Sequence, residues 1–191
     1  MSSARARQVS FDDEPLICVD EENNVLEYRP KADVHAGDGI LHRAFSIFLF
    51  NEAGEVLIQR RAAGKPLWPG FWANACCSHP RRGETEAEAA VRRLTEELGI
   101  EAVPEYVYTF TYHARYEDIG SEHEVCSVFL ARSDAPVIAN ESEVAELAWV
   151  TPAELDARLR DTPDEYSPWL KLEWARLRSE YGDRLAAYGA V

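Results

Sequence analysis

The sequence predicts one domain of the α+β or α/β class, with an N-terminal hairpin, central strands and C-terminal helices. Three observations carry this. A length of 191 residues suffices for one well-packed core and is short for two. Residues 43–50 are apolar and aromatic, the pattern of a strand buried on both faces. Residues 84–99 combine a capping box at Thr85 and Glu88, apolar residues at three- and four-residue steps, and a closing Gly99 suited to a left-handed cap.

Taken in order, residues 1–14 read as a polar, loose tail and residues 15–191 as the domain. Residues 16–19 and 25–28 flank a polar turn and read as a hairpin. A Gly-containing loop over residues 31–42 holds His35 and His42. The strand at 43–50 turns through 51–55 into a second at 56–61, and both are expected at the centre of a sheet. After a loop, residues 72–80 lead into the capped helix, whose expected buried stripe is Ala87, Ala90, Val91, Leu94 and Leu98, with Glu97 at its edge. Residues 106–116 alternate, which sets Tyr106, Tyr108, Phe110 and Tyr112 on one face, and they pair as a second hairpin with residues 122–131. A last strand at 146–150 precedes two helices, started by Thr151-Pro152 and Ser167-Pro168.

A formal net charge of −14 and a pI of about 4.8 argue against a nucleic-acid partner, and an anionic small substrate would need a local basic cluster. The N-terminal residues lack an apolar core for a secretory signal, and runs such as 44–50 are too short to span a bilayer. Four cysteines, two of them adjacent, form no spaced disulfide framework. Reduced thiols, a cytoplasmic location, no membrane association and a monomer or weak oligomer are expected.

The chemistry concentrates at residues 72–80. If they are extended, Cys77 and His79 share one face and Cys76 points the other way. Along residues 122–126 the same alternation groups Glu122, Glu124 and Cys126 and turns His123 away. His35, His42 and His79 are three of only five histidines, and imidazoles with carboxylates suit Mn²⁺, Fe²⁺ or Zn²⁺. Each residue alone has a plainer reading. A single His is usually a surface or core residue, a free Cys a small buried hydrophobe, Arg93 and Glu97 an i,i+4 surface pair, and Trp169 core packing.

From Glu84 the pattern E-x7-R-x-L-x-E-E-x-G-I resembles the Nudix signature, with Ser78 in place of the usual first Gly and Arg93 in place of the first clustered Glu. The resemblance implies a mixed β-sheet sandwiched between helices. The altered helix together with N-x-x-C-x-H-P, H-x6-H, E-x-E-V-C and Y-S-P-W resembles the type 1 isopentenyl diphosphate isomerases over residues 31–169. That family implies isomerisation of a small diphosphate between its two alkene forms through a tertiary carbocation. It implies a divalent ion, Mn²⁺ or Zn²⁺, on His35, His42, His79, Glu122 and Glu124. It also implies a Mg²⁺ on the substrate diphosphate, held by Glu97 and the backbone carbonyl of Cys77. Lys31, Arg61, Lys65 and Arg93 match phosphate-binding positions, Cys77 and Glu124 the two acid/base groups, Tyr112 the partner of the carboxylate, and Trp169 the aromatic facing the cation. A Nudix diphosphate hydrolase is the alternative enzyme, disfavoured by Arg93. A non-catalytic metal- or diphosphate-binding module is the other, disfavoured by Cys77, Tyr112 and Trp169.

Overall fold

The computed structural model describes residues 7–190. β1 (Pro15–Val19) and β2 (Val25–Pro30) form the expected antiparallel hairpin, and the Asp20 carboxylate accepts the amides of Glu22 and Asn24 to close its turn. The loop expected next contains a short helix, α1 (Lys31–His35), which carries His35 at its end.

β3 (His42–Phe50) is the hub of the sheet. It runs antiparallel to β6 (Cys76–Ser78) and parallel to β8 (Gly120–Arg132), in register from His42↔Glu124 to Phe50↔Arg132. β4 (Val56–Arg61) instead joins β5 (Trp72–Asn74) and β9 (Val144–Val150). β3 and β4 are therefore central, as expected, but they pair only at Phe50↔Val56. Beyond that turn their edges are taken by other strands. β7 (Glu105–Tyr116) pairs antiparallel with β8.

Period-two alternation divides the core in two. Phe48, Phe50, Val128 and Leu130 pack with Leu170, Trp174 and Leu177 of α4 (Pro168–Glu180) and Leu185 of α5 (Gly182–Ala187). Phe45, Ile47, Leu49 and Phe129 pack with Ala89, Ala90, Leu94 and Leu98 of α2 (Glu86–Leu98). Helices thus cover both faces of a mixed sheet. α3 (Pro152–Asp161) adds Leu155 to the first layer and begins with a capping box at Thr151 and Glu154. Among the described residues no helix is long and apolar enough to cross a membrane.

Two expectations are corrected. α2 has the anticipated capping box and a left-handed Gly99, but its buried stripe is Ala89, Ala90, Arg93, Leu94, Glu97 and Leu98, and Ala87 and Val91 are exposed. The helix is rotated because Arg93 and Glu97 satisfy each other inside, leaving Val91 on the wet side. In β7 the register shifts between Tyr106 and Tyr108, so Tyr106 faces Phe129 while Tyr108, Phe110 and Tyr112 share the opposite face. Of the tail expected over residues 1–14, residues 1–6 lie outside the described residues, and residues 7–10 make hydrogen bonds to the domain. The Arg7 carbonyl accepts from Asn140 Nδ2, the Val9 carbonyl from Arg93 Nη1, and the Ser10 hydroxyl from Lys31 Nζ. Inward-facing cations need acceptors, and the tail supplies them.

Gly120 joins this frame to α1. A Cβ on it would stand 2.4 Å from the His35 carbonyl oxygen, and Gly120 bridges Ala36. Gly120→Ala is expected to lower unfolding stability by about 1–3 kcal/mol through this backbone clash. An unchanged urea midpoint would contradict the close approach.

Candidate active site and metal centre

The β3–β8 register sets His42 directly beside Glu124, and β6 brings His79 to the same end of the sheet. His42 is fully buried, and its Nδ1 lies 2.7 Å from the Ile40 carbonyl, which accepts the ring N–H and leaves the Nε2 lone pair free. His42 Nε2 stands 3.3 Å from His35 Nε2 and 3.1 Å from His79 Nε2. Glu122 Oε2 lies 3.2 Å from His35 Nε2, yet it is a buried oxygen without a hydrogen-bond partner. The ligand atoms of His35, His42, His79 and Glu122 fall within 4.8 Å of one another. Converging lone pairs around an orphaned carboxylate oxygen fit a divalent cation held by nitrogen and oxygen donors.

The electrostatics agree. Burial, followed by the neighbouring imidazoles, pushes His35 far below its ordinary value. Burial holds His79 at about 3. Both rings are therefore neutral, the form that binds metals. Glu122 is pushed well up, by burial and then by the adjacent Glu124.

Glu124 links this cluster to a second group. Its Oε1 lies 3.2 Å from His79 Nε2 and 3.6 Å from His42 Nε2, while its Oε2 accepts the Tyr112 hydroxyl at 2.7 Å. Across β3, Cys77 pairs with Ser46, and its thiol donates to Asn74 Oδ1 at 2.8 Å with Ser46 Oγ at 3.3 Å. Cys76 packs into the opposite core, as the alternation requires. Burial, then the nearby Glu173, raises the Cys77 thiol well above its ordinary value. Cys77, His79, Tyr112, Glu122, Glu124 and Trp169 line one cleft. Trp169 is buried, its Nε1 has no partner, Trp68 meets it edge-on at 5.3 Å, and the Arg61 guanidinium lies 5.2 Å from its ring centroid.

Lys31, Arg61, Lys65 and Arg93 line the same cleft, giving an acidic chain one concentrated basic site. Each is anchored. Lys65 Nζ donates to Glu143 at 2.5 Å, Arg93 Nε to Glu97 Oε1 at 2.9 Å, and Arg61 Nη2 to the Leu67 carbonyl at 2.9 Å. Burial and then the nearby Lys65 bring the Lys31 amine down to about 8. His42 lies beneath the lining, touching His35 and His79. Glu97 does not line the cleft; it is 2% exposed and held by Arg93. Sequence reasoning missed Ser10, which lines the cleft, and Glu143, which orients Lys65. Neither sits in a periodic or spaced motif that would have marked it.

A family model for the NUDIX domain matches residues 40–170. The chain is 40% identical over 174 residues to isopentenyl-diphosphate Delta-isomerase 1 of Photorhabdus laumondii, covering 90% of this chain and 99% of that relative. It is 45% identical over 157 residues to the isopentenyl-diphosphate Delta-isomerase of Nocardia farcinica, covering 82% and 90%. Among solved structures, a Deinococcus radiodurans protein superimposes with a TM-score of 0.70 at 25% identity, covering 85% of this chain and 98% of that one. The MutT protein of Methanosarcina mazei shares the fold, with a TM-score of 0.62 at 20% identity and coverage of 74% and 95%. With the altered Nudix helix and the cleft above already in place, these likenesses show that the chain belongs to the isopentenyl-diphosphate Delta-isomerase family of the NUDIX superfamily.

Proposed function

We propose that this chain is an enzyme of isoprenoid biosynthesis that interconverts isopentenyl diphosphate and dimethylallyl diphosphate. The observation that carries the reading is one cleft in which a thiol and a tyrosine–carboxylate pair stand on strands either side of β3, with an indole in the same lining. Moving a carbon–carbon double bond requires one proton delivered to the terminal alkene carbon and another removed from the far neighbour of the central carbon. The Tyr112–Glu124 pair delivers the first, and Cys77, after its thiol has released its own proton, removes the second as the thiolate; the thiol form, which donates to Asn74, is the acid of the reverse reaction. Between the two steps the substrate is a tertiary carbocation. Trp169 faces that charge, an interaction worth about 2 kcal/mol or more in a desolvated site. Water would capture the cation, and the packing of Leu67, Trp68 and Tyr116 around Trp169 keeps the cleft dry.

Lys31, Arg61, Lys65 and Arg93 bind the diphosphate, for which the planar Arg groups offer paired donors. His35, His42, His79 and Glu122, with Glu124 beside them, would hold a divalent ion, Mn²⁺ or Zn²⁺ by the donor set, and its positive charge would strengthen the neighbouring acid. The Cys77 carbonyl, with Glu97 if its carboxylate turns from Arg93 towards the cleft, would hold a Mg²⁺ that accompanies the diphosphate and offsets its charge. Residues 15–191 act as one catalytic domain in the cytoplasm, a setting compatible with four free cysteines. A diphosphate hydrolase is the competing reading, and Arg93 speaks against it because hydrolysis draws on a larger set of helix carboxylates to activate water.

Isopentenyl diphosphate incubated with the protein and Mg²⁺ in D₂O is expected to give dimethylallyl diphosphate with deuterium in the newly formed methyl group and intact diphosphate in the phosphorus spectrum. Inorganic phosphate or a monophosphate as main product would establish the hydrolase instead. Cys77→Ala is expected to lower kcat by about 10²–10⁴-fold with the fold retained, and Cys76→Ala only mildly; full turnover by Cys77→Ala would remove the thiol from the mechanism. Gently purified protein is expected to contain one transition metal per chain, to lose activity on chelation, and to regain it with Mn²⁺ or Zn²⁺ but not Mg²⁺ alone. Metal-free protein with full activity in chelator would overturn this assignment.

A further inference from the structure

Beneath the cleft lies a buried acid that the mechanism above does not use. Glu173 is fully buried, and it follows Trp169 by one helical turn, so both project from the same side of α4. Its Oε2 accepts from Asn74 Nδ2 at 3.4 Å and its Oε1 from the Cys126 thiol at 3.6 Å. These are the surroundings of Cys77. Asn74 accepts the Cys77 thiol, and Ser46 is the other polar neighbour of that sulfur.

We propose that Glu173 is a positioning residue for the isomerisation, orienting Asn74 so that the Cys77 sulfur holds one direction in the cleft. Asn74 has a carbonyl and an amide end, and only one orientation offers its oxygen to Cys77. Two acceptors fix that orientation by taking its amide hydrogens: the Ile47 carbonyl and Glu173 Oε2, each at 3.4 Å. Among the described residues Glu173 has no cationic partner, and burial, with the charge of Glu124 adding to it, raises it to about 8. Towards Asn74 and the Cys126 thiol it acts as an acceptor, a role a side-chain amide oxygen could also fill.

The inference rests on the assignment of Cys77 as a proton-transfer group, and the test separates the two. Turnover by the wild type together with its loss in Cys77→Ala decides the assignment. Given activity, Glu173→Leu is expected to lower kcat by about tenfold or more with KM for isopentenyl diphosphate little changed, since misplacing a reacting group costs turnover before binding. It should also enlarge the isotope effect of deuterium at the abstracted position, because proton removal by Cys77 becomes the slower step. Glu173→Gln, neutral and able to hydrogen-bond, should restore most of kcat and return the isotope effect towards wild type. If Glu173→Leu does not fold, Glu173→Met, which matches the glutamate in length, takes its place. Wild-type kcat in the apolar variant overturns the proposal. So does an unchanged isotope effect, or an equal loss in Glu173→Gln, since a merely structural role would produce either.

Discussion

The parallel pairing of β3 with β8 is the constraint on which the site depends. It places His42 opposite Glu124 and extends through Phe50 opposite Arg132, so the strands that build the core also set the distance between imidazole and carboxylate. A one-residue slip would send Glu122 and Glu124 to the α2 side of the sheet and strand two carboxylates in an apolar layer. Core packing and ligand placement are therefore one condition. His79 enters through β6 on the other edge of β3, and His35 through α1, whose backbone is pressed against Gly120 at the start of β8.

Charge is distributed by the same economy of partners. The chain is acidic overall, but its four cleft cations are each tied to a carboxylate, carbonyl or hydroxyl before any anion arrives. Burying an ion pair such as Arg93–Glu97, exposed by only 3% and 2%, contributes little stability on balance, because desolvation offsets attraction. Its consequence is geometric. An anchored guanidinium has already lost the freedom that binding a diphosphate would otherwise remove. The Arg that departs from the Nudix signature is thus built into the helix as a member of its buried stripe.

The two layers of the sheet serve different ends. The α2 side carries an apolar cluster that takes Cys76 as a small hydrophobe, with the Arg93–Glu97 pair buried on the helix. The opposite side begins as an apolar core under α4 and α5 and becomes polar towards the cleft, through Glu173, Asn74 and Ser46 to Cys77. Adjacent cysteines consequently have unrelated environments, a direct result of strand alternation.

Local signals were legible because they depend on few residues. The capping box and Gly99 of α2, the opposition of Cys76 to Cys77, the shared face of Glu122 and Glu124, and the Pro-initiated terminal helices follow from periodicity and backbone chemistry within short windows. The spaced motifs also named residues that come to line one cleft, since their spacing survives without knowledge of the path between them. What only the tertiary structure decided involves partners distant in sequence. The face of α2 that is buried depends on Arg93 finding Glu97 and the Val9 carbonyl; apolar periodicity chose Val91 instead. The bulge that turns Tyr106 away is a register property of two strands, invisible in either alone. Residues 7–10 are held by Asn140, Arg93 and Lys31, and Glu173 gains its place only when α4 closes over β3, β5 and β6. A buried polar group is defined by its partners, and long-range partners are assigned by packing.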